Sequence, residues 1–268
     1  MGKQNPANEA SIYFSRFSLS FRQGFLSLFQ KRKKRLWELD FLRGVAMAMM
    51  FVFHFAWDLN YFGFIHESLY SGFWGLFQKA TAGLFLLLVG VSLTLSFNRK
   101  TEGFAPRFLK RGAQIFSAGL LITAVTWVLF PANFIYFGIL HLIGTSIILS
   151  IPFVRKKWLN LGLGVAVISI PAFVSIASFN VLPLFWAGFA VPQASFDFAP
   201  IFPWFGAVLI GIFAGNFFYE RGERKFFVPE MGNAWADFLQ FLGRNSLFFY
   251  LVHQPVLFGA VYAAGLFI

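Results

Sequence analysis

The sequence predicts an all-α integral membrane protein: a polytopic bundle of about seven main transmembrane helices, with an amphipathic N-terminal helix and one re-entrant or interfacial segment. Three observations predict it. Of the 268 residues, 58% are hydrophobic and only 12% charged, whereas a soluble domain carries about 25% charged residues. Apolar stretches of about 20 residues, long enough to cross a bilayer, recur along the chain. The loops between them alternate between Lys/Arg-rich and Lys/Arg-free, the pattern of positive-inside insertion.

The elements follow in order. Over residues 12–30, Phe14, Phe17, Phe21, Phe25 and Leu28 recur at helical spacing opposite Arg16, Ser20, Gln23 and Ser27, and the basic run Lys31 to Arg35 follows. That pattern predicts an amphipathic helix on the cytoplasmic surface. A signal peptide fits poorly, because the charges follow the apolar part and no small-residue cleavage site appears. The spans are read at 41–63, 72–97, 109–130, 134–153, 157–176, 201–219 and 244–266. The piece 177–200 is apolar but broken by Pro183, Pro192 and Pro200, so it reads as a re-entrant or interfacial loop or an eighth short helix.

Basic residues cluster in the connections around 99–111, 155–157 and 221–225, whereas 62–71, 131–133 and 177–200 carry none. This predicts a multi-pass protein of the cell membrane with a cytoplasmic N-terminus and an external C-terminus. The net charge of +11 is then explained by orientation in an anionic membrane, with no nucleic-acid partner. The chain has no cysteine, which excludes disulfides, thiolate metal sites and a cysteine acyl-enzyme.

Titratable residues inside a bilayer mark functional sites by default, because each costs several kcal/mol unless paired or hydrated. In the first span His54 and Asp58 are one turn apart on a single helical face, and Arg43 lies back along nearly the same stripe, roughly 16 Å from His54 at the helical rise. With the predicted topology His54, Lys79 and His141 all lie roughly 11–13 Å from the external face, and His253 roughly 15–20 Å. The common depth predicts one polar cavity lined by these four. Gly138 and Gly144 flank His141 and would let a helix or ligand approach. Tyr250 and Ser246 share a face with His253, and Pro255 frees a carbonyl beside it. The bland alternatives are that Lys79 snorkels outward, that Asp58 pairs with Lys79 or holds His54, and that Asp40 and Arg43 form an interfacial ion pair. His66 reads as a loop residue. No pair of histidines has metal-ligand spacing, so no metal is expected.

The run Leu39-Asp-Phe-Leu-Arg-Gly44, with Arg43 and His54 separated by ten residues, resembles the first-helix signature of transmembrane acyltransferases. Phe85-Leu-Leu-Leu-Val-Gly-Val-Ser92, Phe137-Gly-Ile-Leu-His-Leu-Ile-Gly144, Leu242-Gly-Arg-Asn-Ser-Leu and Tyr250-Leu-Val-His-Gln-Pro255 are similar to the bacterial branch related to the catalytic domain of heparan-alpha-glucosaminide N-acetyltransferase. The resemblance covers roughly residues 36 to 266 and divides the chain into a basic N-terminal segment, 1–35, and an acyltransferase-like domain, 36–268. It implies transfer of an acetyl group from cytoplasmic acetyl-CoA, as acyl donor co-substrate, to a hydroxyl or amine of a glycan-type acceptor on the far side. It also implies that His54 is catalytic and that Arg43 lies near the coenzyme. A homo-oligomer is compatible with it. In the lysosomal member of the family the position matching His54 is asparagine, and the histidine held responsible lies in the following loop, which His66 matches loosely. His54 and His66 therefore compete for the role, and the intramembrane position favours His54.

The chemistry supports the same reading. Acyl transfer from a thioester needs a general base or a nucleophilic carrier, and histidine serves as either near neutral pH. Asp58 is placed to orient the imidazole, and arginine suits the phosphates of CoA. The rivals are a proton-coupled transporter or exporter using the same His, Asp and Lys residues, and a membrane partner whose polar residues only lock helices together. The lack of an inverted repeat argues against the transporter. Binding of CoA would separate the acyltransferase from both.

Overall fold

The computed structural model describes residues 36–173, 181–190, 194–220, 222–229 and 231–266. The chain divides into Met1–Trp37 and a unit Glu38–Ile268, and the second carries the fold. The amphipathic helix predicted over 12–30 lies outside the described residues.

Eight α-helices are described: α1 (Trp37–Tyr61), α2 (Gly72–Arg99), α3 (Phe104–Leu129), α4 (Ile139–Leu149), α5 (Lys157–Phe173), α6 (Ile201–Phe218), α7 (Ala234–Arg244) and α8 (Ser246–Gly265). The chain is an all-α membrane bundle. Five helices, α1, α2, α3, α6 and α8, are long and apolar enough to cross a bilayer, and α4 and α5 are apolar but shorter. The only described strands are the two-residue pair β1 (Tyr219–Glu220) and β2 (Glu223–Arg224).

Two features depart most from the sequence reading, each for a physical reason. The span expected over 134–153 is helical only from Ile139 to Leu149. Before it the backbone is extended and bonded to the proline-rich segment: Phe196 N–H donates to the Asn133 carbonyl at 3.0 Å, and Ala199 N–H donates to that of Phe137 at 2.9 Å. The described residues of that segment include a 3₁₀ helix, Leu182–Ala187, and a stretch that pairs in parallel at Phe137 and Phe198. The second addition is α7, too short and too amphipathic to read as a span. Asn233 caps it, its side chain accepting from Ala236 N–H at 2.8 Å.

Lipid offers no hydrophobic drive between apolar helices, so close backbone approach at small residues does the packing. A Cβ at Gly90 would overlap the Val208 carbonyl, and one at Gly211 the Leu87 carbonyl, so α2 and α6 lie backbone to backbone. Thr94 Oγ1 donates to the Ile212 carbonyl at 3.2 Å across the same seam. Leu86, Leu142, Val208, Leu209 and Ile212 form the dry core of the α2–α6 half. The same device joins α1 to α7, where a side chain on Gly44 would strike Leu239 and one on Gly243 would strike Asp40. Basic residues gather at one end of the unit, where Arg155 lies over the Phe97 ring at 5.1 Å, Lys157 over Phe217 at 4.5 Å, and Arg224 pairs with Glu38 at 3.4 Å. Aromatic rings fill the other end, with Trp57, Tyr61, Phe130 and Phe258 around Phe196 or one another.

The α2–α6 seam makes a direct prediction. Gly211→Val forces side-chain atoms into a backbone and should destabilise the protein by about 1–3 kcal/mol, the usual cost of overpacking. Gly83→Ala, on the same helix as Gly90 with open space where its Cβ would go, should leave the melting temperature of the detergent-solubilised protein unchanged or slightly raised.

Candidate active site

A cavity of about 1120 Å³ runs between α1, α7 and α8 on one side and α2, α3, α4 and the 196–199 segment on the other. Its composition changes along its length. Arg43, Arg107, Arg111 and Arg244 line the basic end, His54, His253 and Tyr250 the middle, and Trp57, Tyr70, Gln78 and Phe130 the aromatic end.

The arginine end is held by one carboxylate. Asp40 Oδ1 accepts from Arg43 Nη1 at 2.9 Å, and Oδ2 lies 3.4 Å from Arg244 Nε. Arg43 Nη2 also donates to Ser92 Oγ at 2.6 Å, and Arg244 Nη2 to Gln240 Oε1 at 2.8 Å. Arg107 is braced by the carbonyls of Gly103 and Lys100. Arginines from α1, α3 and the α7–α8 junction thus face one mouth, a ready site for a polyanion.

The two central histidines are oriented alike. His54 Nδ1 lies 2.9 Å from the Met50 carbonyl, and His253 Nδ1 lies 2.7 Å from that of Tyr250. A carbonyl only accepts, so each neutral ring carries its proton on Nδ1 and leaves Nε2 as a bare lone pair. The rings meet edge to face with centroids 4.8 Å apart, and Phe51 stacks on His253 at 5.5 Å. His253 is only 8% exposed, and its Nε2 takes no hydrogen bond among the described residues.

The other predicted residues fall differently. Asp58 is wholly buried and does not line the cavity; it accepts from Gln254 Nε2 at 2.7 Å, so it ties α1 to α8, while the Met50 backbone orients His54. The single cavity lined by all four of His54, Lys79, His141 and His253 is not what the structure builds. His141 is buried outside the cavity lining. Its Nδ1 accepts from Gly138 N–H at 3.2 Å, closing the first turn of α4, and its ring sits against Gly119 and between Phe116 and Phe137. Lys79 is exposed on α2, turned from the wall that Gln78, Thr81 and Ala82 provide. His66 is exposed in the α1–α2 loop.

The structure adds residues that the sequence did not single out. Arg244 stood within a quoted motif but not as a site. Gln254 lines the cavity and also donates to Asp58. Asp197, in the proline-rich segment, lines the cavity and accepts from Ile139 N–H at 2.9 Å. Burial pushes its carboxyl above the ordinary carboxylate range, and the Ile139 hydrogen bond acts against that. Among the described residues no group of three or more His, Asp or Glu side chains is placed to hold a metal ion.

The model of one protein family matches residues 35–255, that of the heparan-alpha-glucosaminide N-acetyltransferase catalytic domain. No curated protein and no solved structure matches. The matched region runs from the start of α1 to the middle of α8 and so takes in the arginine mouth and both central histidines. The chain therefore belongs to the heparan-alpha-glucosaminide N-acetyltransferase catalytic-domain family and is a membrane protein of acetyltransferase type.

Proposed function

We propose that this protein moves an acetyl group from acyl-CoA, bound at the arginine mouth, to a hydroxyl or amine of a glycan-type acceptor that enters from the aromatic end. The observation that carries this reading is the continuity of the cavity, which joins four arginines to two histidines with bare Nε2 atoms and then to the opposite end. The volume of about 1120 Å³ exceeds that of a typical single-ligand pocket, about 300–1000 Å³, as a site for two substrates requires. The arginines would hold the phosphates of CoA, and the apolar walls beyond them, Phe85, Val89, Leu247 and Leu251, would take its uncharged arm.

His54 is the proposed base, with His253 beside it. Nε2 of His54 takes the proton of the acceptor as its oxygen or nitrogen bonds to the thioester carbonyl carbon. The C–S bond breaks, and the same proton passes to the departing sulfur, giving free CoA thiol and the acylated acceptor. His54 as transient acyl carrier uses the same lone pair: an N–C bond forms at Nε2 as C–S breaks and CoA leaves as the thiolate; the acceptor then bonds to the acyl carbon as that N–C bond breaks, and the acceptor's proton passes to the thiolate. Asp58 acts at one remove, by fixing through Gln254 the helix that carries His253. The alternation of basic and neutral loops supports a cytoplasmic arginine mouth and an external acceptor side in the cell membrane.

His54→Ala should lower transfer of labelled acetyl-CoA to extracted envelope glycans by about 100- to 10,000-fold, the usual worth of a general base, with the fold intact by melting temperature. A mutant within tenfold of wild type, with His66→Ala inactive, would move the chemistry to the α1–α2 loop.

Arg43→Ala and Arg244→Ala should each raise KM for acetyl-CoA by about tenfold to 100-fold, the worth of a charge-assisted hydrogen bond, with a smaller change in kcat. Failure of the purified wild-type protein to bind CoA would favour the transporter instead.

A periplasmic-type reporter fused after Ile268 should be active and a cytoplasmic one silent. The reverse pattern would invert the proposed orientation.

A further inference from the structure

The cavity is electrically polarised. Its charged lining consists of four arginines, which gather at one end, and, among the described residues, a single carboxylate, Asp197. Asp197 lies in the other half. Its neighbour Phe196 packs on Trp57 at 5.5 Å and on Phe130 at 5.2 Å, both at the aromatic end. Asp197 is also within electrostatic reach of the Tyr250 hydroxyl, and the Tyr250 ring lies 5.5 Å from that of His253.

The carboxylate is held firmly by groups that use only half of it. Its backbone is clamped on both sides, by Phe196 N–H on Asn133 and Ala199 N–H on Phe137. Ser195 Oγ lies 2.9 Å from the carbonyls of Phe134 and of Asp197 itself. Oδ2 accepts from Ile139 N–H, and Gly138 carries no Cβ, which would otherwise strike that oxygen. Oδ1 takes no hydrogen bond from any described residue. Capping one helix N–H takes a single oxygen, which serine or asparagine would supply as well as aspartate. A carboxylate costs far more to place in a low-dielectric interior, and it leaves a charged acceptor turned to the cavity.

We infer that Asp197 is the acceptor-binding residue: its Oδ1 accepts a hydrogen bond from an O–H or N–H of the acceptor and holds the reacting group toward the His54–His253 pair. In its ionised form, which burial disfavours and the Ile139 hydrogen bond favours, Asp197 also makes the far half of the cavity selective. It admits a neutral or cationic acceptor and repels an anionic one, while the arginine mouth takes the polyanionic donor. The two substrates are sorted to opposite ends by sign. This rests on the acyl-transfer reading above.

The test uses the full chain in nanodiscs, labelled acetyl-CoA, and three probes: glucose for a hydroxyl acceptor, glucosamine for an amine, and glucuronic acid for an anionic sugar. Asp197→Asn is the informative variant, because its side-chain oxygen can still cap α4 while the charge is gone; Asp197→Leu removes both. Wild type should acetylate glucose or glucosamine at least tenfold better than glucuronic acid. Asp197→Asn should keep the melting temperature and the KM for acetyl-CoA within twofold, lose at least tenfold in kcat/KM for the preferred sugar, and discriminate less against glucuronic acid. Asp197→Leu should also melt lower. Unchanged acceptor kinetics in Asp197→Asn, an equal rise in KM for acetyl-CoA, or a wild-type preference for glucuronic acid overturns the assignment. So does wild-type protein that binds acetyl-CoA but transfers to none of the three. Wild-type protein that binds no acetyl-CoA overturns the acyl-transfer reading itself, and this inference with it.

Discussion

The Asp40 bridge sets the register on which the site depends. One carboxylate takes Arg43 of α1 and Arg244 at the end of α7, and directly beside it Gly44 and Gly243 let the two backbones touch. A contact that close permits no sliding, because a shift of one residue would drive a side chain into a carbonyl. From this fixed point α1 and α8 run in the same direction toward the aromatic end. Met47 and Met50 pack with Phe249 and Tyr250, His54 meets His253, Asp58 meets Gln254, and Phe62 meets Phe258 and Tyr262. The histidine pair is one rung of this ladder, and its position follows from the bridge at the end.

The ladder explains why the buried carboxylate of α1 is not the partner of the half-buried His54. Within the bundle a carboxylate needs a donor that can stay with it in every state of the cycle. Gln254 is such a donor. An imidazole that must offer a bare Nε2 is better held by a carbonyl, which fixes the Nδ1–H tautomer without adding charge. Met50 and Tyr250 supply those carbonyls from the helices that carry the rings, His54 one turn back and His253 three residues back. Rotation of each ring is thereby limited with no further charge placed in the apolar middle of the cavity. The division of labour is economical: Asp58 locks helices, and the backbone orients the imidazoles.

Much of the fold was legible because hydropathy is decisive in a bilayer. A long apolar run has few alternatives to a helix, and the helices α1, α2, α3, α6 and α8 lie where the spans were read. The shortening of α4 was not legible, because it depends on Asn133 to Phe137 pairing with residues some sixty positions later. The site divides along a similar line. Counting along a helix gives depth but not rotation, and depth alone placed His141 and Lys79 beside His54. His141 instead turns toward α3, where Gly112, Gly119 and Gly144 serve helix packing and not a ligand. Arg43, His54, Tyr250 and His253 were legible as residues of the cavity wall, because a charge or ring on an apolar stripe has few other uses. Asp197 gave no such signal, since in a proline-rich loop an aspartate is ordinary until the fold brings it to the wall of the cavity.

The physics of the cavity favours the transfer of a group over the passage of a whole solute. A transporter of the alternating-access kind binds its solute at one central site near the midplane, between related halves of the chain that open to either side. Here the two ends differ in kind. Strong, bridged arginines stand at one end and aromatic rings at the other, with two neutral bases between them. A polyanion held at the first end has no counterpart to receive it at the second, so its most favourable position is to remain there and extend its uncharged arm inward. A small uncharged fragment such as an acetyl group pays little to sit among Phe85, Val89 and Leu251, whereas the phosphates would have to leave four cations to follow it. On the proposed reading, the gradient in lining chemistry would hold the carrier on one side and let only its acyl end reach the histidines.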